Sequence, residues 1–220
     1  MATIAHEPPK IETPSNGHGG TVPPAPELAS RAVTDRPPEP ARTGIWVGIA
    51  AIAMTFAALT SALIVRRGSG NDWNPIALPP VLYFNTAILV LSSLTLGQAR
   101  RKVAAFIRHQ GTTHGEALGW LSITLVLGLA FVAGQYIAWL QLRSEGLYLA
   151  TNPNSSFFYV LTAVHAVHVL GGLGGLARVI CLLAPAVPIL RKSTMDATSY
   201  YWHFMGTLWI YLLVILWFRL

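Results

Sequence analysis

The five longest apolar stretches of this chain, all between Gly44 and Leu220, contain no Asp and no Glu. A proton relay or coupling-ion site in lipid ordinarily rests on a buried carboxylate, so this absence argues against both. Cysteine is almost missing as well. Cys181 stands alone, which excludes an internal disulfide and a cysteine-based metal centre. Charged residues make up only 11% of the chain, against roughly 25% in a soluble domain. No internal repeat and no broken half-helix is visible, which argues against a small transporter.

What is present is hydrocarbon. Hydrophobic residues make up 53% of the 220, and a bilayer core needs about 20 apolar residues per helix. The runs at about 44–65, 80–99, 117–142, 156–184 and 200–218 meet that length. The sequence therefore predicts an all-α, polytopic membrane bundle of five transmembrane helices over 44–220. Residues 1–43 differ in kind. They hold nine of the fifteen prolines and five scattered acids, a composition that cannot bury enough apolar surface to offset its ordering entropy. A disordered cytoplasmic tail is expected there, with neither a secretory signal nor a transit peptide.

The net charge of +6 does not call for nucleic acid, because most of it flanks the apolar runs, where it sets topology. The tail and the loops after the second and fourth runs carry Lys10, Arg31, Arg36, Arg42, Arg100, Arg101, Lys102, Arg108, Arg191 and Lys192. The opposite side carries Arg66, Arg67, Arg143 and Arg219. An N-terminus in the cytoplasm and a C-terminus outside are expected. Arg178, inside the fourth run near its cytoplasmic end, can snorkel to the headgroups. Trp46, Trp120, Trp139, Trp202 and Trp217 fall near run ends, where amphipathic rings form interfacial belts.

Three histidines lie at lipid depth: His165 and His168, three apart on one helix face, and His203 on the fifth run. They could ligate metal or haem, or they could hydrogen-bond between helices or to lipid headgroups. Taking the runs as the helices, His168 and His203 differ in depth by on the order of 15 Å at 1.5 Å per residue, too far to share an iron. No carboxylate or cysteine stands beside them to complete a zinc site. Gly171 and Gly175 form a G-x-x-x-G, which lets a neighbouring helix approach closely. Asn85, Thr86, Ser92, Ser93, Thr95, Gln135 and Tyr136 are read as interhelical hydrogen-bonding groups. A quinone pocket using Gln135, Tyr136 and Trp139 is a weaker alternative.

The order of these motifs resembles subunit III of the haem–copper terminal oxidases. FFYVLTAVHAVHVLGG (157–172) is similar to the penultimate helix of that family, and SYYWHFMGTLWIYLLVILWF (199–218) to its last. LYFNTAILVLSSLTLGQAR (82–100) is similar to its asparagine–threonine helix. FAALTSALIVRR (56–67) and LGLAFVAGQYIAW (127–139) fit the other two. Some members have seven helices; the likeness here covers the last five, the bacterial form of cytochrome c and quinol oxidases. The family often places acids at three positions that here are Ile52, Ala138 and Gly206.

The resemblance implies a structural, lipid-binding subunit of a proton-translocating, oxygen-reducing respiratory oxidase in a bacterial plasma membrane. It implies no catalytic, metal or cofactor-binding residue in this chain. Haem and copper belong to partner subunits, and bound phospholipid is a further expectation. The expected partners are catalytic subunit I, subunits II and IV, and membrane lipid. His165, His168, Gly171, Gly175, Arg178, Trp202 and His203 are then packing or lipid-contact residues. Two other readings stay open: a redox-active anchor binding haem b or quinone through His165, His168 or His203, and an accessory protein of a nitric oxide reductase.

Overall fold

A computed structural model of the chain describes residues 40–69, 79–107, 113–148, 152–185, 190 and 192–219. The chain divides into two units, Met1–Pro37 and Pro38–Leu220. The first unit lies outside the described residues, and with it nearly all of the tail expected to be disordered. The second unit is all-α. Its helices are α1 (Pro40–Ser69), α2 (Val81–Ile107), α3 (His114–Ser144), α4 (Pro153–Leu183) and α5 (Lys192–Arg219).

All five are long and apolar enough to cross a membrane. They run 27 to 31 residues, or about 40–46 Å at 1.5 Å per residue, which is the full bilayer rather than its hydrocarbon core alone. The apolar runs therefore mark only the middle of each helix, and polar caps extend the ends. Thr113 Oγ1 accepts from Glu116 N at 3.3 Å to start α3. Asn152 and Ser155 cap each other's backbone at the start of α4, with Pro153 at the first helical position. At the end of α3, Gly146 adopts φ 78°. Its N–H bonds Arg143 O at 3.1 Å while Leu147 N–H reaches Leu142 O at 3.0 Å, a Schellman closure.

Helices α2, α3, α4 and α5 form a closed ring in which each packs on its two neighbours, and α1 seats against α5 and α4. Lipid is as apolar as leucine, so this ring depends on short-range contact and hydrogen bonds more than on hydrophobic burial. The α2–α3 seam shows both. Asn85 Nδ2 donates to Phe131 O at 2.9 Å, and a Cβ on Gly134 would overlap the Asn85 amide. Two turns further along the same seam, Ser92 Oγ donates to Thr124 O at 3.3 Å and Thr124 Oγ1 lies 3.0 Å from Thr95 Oγ1.

Two indoles fill the ring. Trp202 and Trp209 are both fully buried. A Cβ on Gly128 would stand 2.7 Å from the Trp202 ring, and one on Gly172 would stand 3.2 Å from it and 3.0 Å from Tyr201. Trp202 is thus clamped between α3 and α4, and it is a core residue rather than part of an interfacial belt. Trp46 and Trp217, in contrast, are 53% and 60% exposed, as a belt requires.

The close approach falls at Gly172, not at the expected G-x-x-x-G. Gly171 is exposed, and Cβ atoms at Gly171 and Gly175 would meet nothing nearer than 3.7 and 3.9 Å. Gly172→Leu is accordingly expected to lower stability by about 1–3 kcal/mol through overpacking. Gly171→Leu and Gly175→Leu should stay within about 0.5 kcal/mol of the wild type. Thermal unfolding in mild detergent checks this; equal losses at positions 171 and 172 would contradict it.

Candidate functional site

The middle of the bundle is an aromatic layer around one imidazole. His165 is 1% exposed. Its ring lies 5.2 Å from that of Trp209, 6.1 Å from Phe131 and 6.3 Å from Phe56. Those contacts come from α5, α3 and α1, so four helices meet at this one side chain. No described protein group reaches either of its nitrogens. Gln135, one turn along α3 from Phe131, and Thr60, one turn along α1 from Phe56, are likewise buried without a described side-chain partner. A buried polar group without a partner costs about 1–3 kcal/mol, so this layer is a polar inclusion and not an inert core.

Three other polar side chains around the layer link one helix to the next. Trp209 Nε1 donates to Thr86 Oγ1 at 3.0 Å, joining α5 to α2. Trp139 Nε1 donates to Thr162 Oγ1 at 3.0 Å, joining α3 to α4. Tyr201 Oη donates to His168 O at 2.8 Å, joining α5 to α4. His168 itself turns its Nδ1–H onto Val164 O, 2.7 Å away and one turn back on its own helix. Its ring faces Phe56 at 5.9 Å.

The expected depth difference between His168 and His203 does not hold. Helix α5 begins at Lys192, eight residues before the apolar run, so His203 sits deep in the helix and not near its end. Gly172 of α4 packs on Trp202, and Tyr201 reaches the His168 carbonyl, which brings His168 and His203 within about two turns of each other in height. They still face different ways. His168 turns to α1, whereas His203 is exposed and lines the α2–α5 groove. Among the described residues, no three of His, Cys, Asp or Glu gather in one place. Arg178 is exposed near the end of α4.

The helices do contain acids, at their ends. Glu116 opens α3 and Asp196 lies in the first turns of α5. Lys102 Nζ meets Glu116 Oε2 at 2.8 Å, and Arg100 Nε meets Asp196 Oδ1 at 2.8 Å. Both pairs lie at the same end of the bundle, where His114 Nε2 also donates to Leu183 O at 2.6 Å. At the opposite end Arg67 Nη1 donates to Phe218 O at 3.0 Å, tying α1 to α5. A cavity of about 640 Å³ opens there between α3 and α4, lined by Tyr136, Trp139, Arg143, Tyr148 and Tyr159 among others. Gln135 is buried on the other face of α3, so the three residues of the alternative quinone pocket do not converge.

A family profile described as cytochrome c oxidase subunit III matches residues 45–219. The chain belongs to the cytochrome c oxidase subunit III family. It is 30% identical over 193 residues to a probable cytochrome c oxidase subunit 3 from Nocardia farcinica, covering 82% of this chain and 89% of that protein. It is 29% identical over 213 residues to one from Mycobacterium tuberculosis, covering 94% and 98%. A cytochrome bo(3) ubiquinol oxidase subunit 3 from Pseudomonas aeruginosa is 27% identical over 171 residues, covering 76% and 79%. The match takes in all five helices from the second turn of α1 onward, and the chain is a multi-pass membrane protein.

Several residues that organise the layer gave little signal in the sequence. Phe56 and Phe131 read as generic apolar residues, and Trp209 stood out only through the resemblance of the last helix, as the tryptophan five residues after Phe204. A double-mutant cycle of Trp209→Phe and Thr86→Val should show a coupling of about 0.6–2 kcal/mol. Strict additivity of the two losses in unfolding assays would remove this bond from the account.

Proposed function

We propose that the chain is the non-redox, structural and lipid-contacting subunit III of a proton-translocating, oxygen-reducing terminal oxidase. In this reading it lies in a bacterial plasma membrane with its N-terminus on the cytoplasmic side. It packs against catalytic subunit I, with subunits II and IV as further neighbours, and haem and copper reside in those partners.

The observation that carries this reading is where the acids stand. Glu116 and Asp196, the two acids within the helices, are held in ion pairs at one end. The central layer, in contrast, is built of Phe56, Phe131, Trp209 and His165. Without a carboxylate at mid-depth the layer offers no ordinary stepping stone for protons. Its aromatic and hydroxyl contacts instead join helix to helix, as a brace requires. Membership of the subunit III family supports the same role. Among the described residues, the unpartnered nitrogens of buried His165 are a feature that suits a haem ligand. They are enclosed by three aromatic rings, which supports the packing reading over that one.

Purification through a tag on this chain, in mild detergent, is expected to bring down a haem-containing catalytic subunit. Membranes lacking the chain should still reduce oxygen at first but lose activity faster during turnover. Recovery of the chain without any haem protein, or unaltered durability of the oxidase in its absence, would overturn the proposal.

A further inference from the structure

The outer surface between α2 and α5 carries two adjoining cavities, of about 350 and 230 Å³, which share His203. The first is mixed in character, with Arg100, Arg101 and Asp196 set beside Val103, Ala104 and Met195. The second is apolar, with Leu89, Val90, Leu94 and Ile210 around Gly206. We propose that together they form a binding site for one anionic glycerophospholipid, with its phosphodiester at Arg100 and Arg101 and an acyl chain laid past His203 over Gly206.

Charge at the mouth fits this occupant. Arg100 is engaged by Asp196 at 2.8 Å and lies over the Tyr200 ring at 5.3 Å, so it is fixed in place. Arg101 is exposed, and no described carboxylate pairs with it. Two guanidinium groups against one carboxylate leave a single positive charge, which one phosphodiester balances. Length fits as well. From Arg100 to Leu89 on α2 is about 16 Å at 1.5 Å per residue, close to the roughly 15 Å that one leaflet contributes to the hydrocarbon core.

His203 supplies the intermediate contact. Its ring is exposed in the groove, below the arginines and above the apolar floor, and it makes no hydrogen bond to a described residue. An imidazole N–H at that level suits the ester carbonyls of a glycerolipid. The floor is open because residue 206 is glycine: a Cβ there would come within 3.3 Å of Ser93 Oγ, and a larger side chain would fill the groove. Val90, Leu94 and Ile210 beside it are 46%, 64% and 46% exposed, ready for acyl contact. The site narrows the lipid-contact part of the proposed function to one groove. It rests on that reading only in needing a bilayer, so an oxidase-assembled chain without lipid here would defeat this inference alone.

The test is native mass spectrometry of the full chain in detergent with added dioleoylphosphatidylglycerol. A one-to-one adduct is expected, bound about fivefold more weakly by Arg101→Gln, the effect of removing one cation at a membrane surface. Gly206→Leu should abolish the adduct while helical circular dichroism is retained. If that variant does not fold, the pair Arg101→Gln and His203→Leu, both at exposed positions, should reduce binding further than either alone. A benzophenone side chain at Leu94, irradiated in the native complex, should acquire the mass of a glycerophospholipid. Unchanged binding in these variants would overturn the proposal. So would displacement of the lipid by inorganic phosphate, or a crosslink from position 94 to a polypeptide.

Discussion

In hydrocarbon, a helix gains little by turning a leucine from lipid toward another helix, so cohesion depends on how closely backbones approach and on which polar groups find partners. In this chain both demands converge on α5. Trp202 is gripped between Gly128 and Gly172, and two turns further along Trp209 stacks beside His165 and bonds Thr86. One helix thereby fixes the positions of α2, α3 and α4. The ring can close around Trp202 because Gly128 on α3 and Gly172 on α4 leave space for its indole. Helix α1 completes the arrangement by sending Phe56 between His165 and His168.

The arrangement explains why a histidine can persist at mid-depth. His165 is the meeting point of side chains from α1, α3 and α5, and its ring packs edge-to-face with Phe56 and Phe131 and tilted against Trp209. Neutral imidazole has little charge to desolvate, unlike a carboxylate, so it is tolerated where an acid would be costly. Among the described residues, the Arg100–Asp196 and Lys102–Glu116 pairs both stand at one end, where water and headgroups can solvate them. Polarity thus rises from the aromatic middle of the bundle to the ion pairs at its end, the distribution of a frame rather than of a conduit.

Much of the fold was legible in the sequence, and the limits have physical causes. Five apolar runs bounded by basic residues are enough to count five spans, because length and charge are properties of whole segments. Faces are harder to read. A shift of one residue turns a helix by about 100°, which is the difference between the exposed Gly171 and the close contact at Gly172. Trp202 sits near the start of an apolar run and looked interfacial. The helix actually begins at Lys192, which carries Trp202 into the core and removes the expected depth difference between His168 and His203. Apolar composition marks where lipid begins, whereas hydrogen bonding marks where a helix begins.

His165 and His168 were legible as a pair on one helix, but their different fates were not. One faces three aromatic rings and the other bonds its own backbone, and that division depends on neighbours that only the folded ring supplies. The central claim is that this family member braces an oxidase without carrying its redox chemistry. The most direct measurement is the optical absorption of the chain freed of all other subunits, from cells supplied with haem. The account predicts no Soret band. A stoichiometric Soret band that disappears in His165→Leu would contradict it.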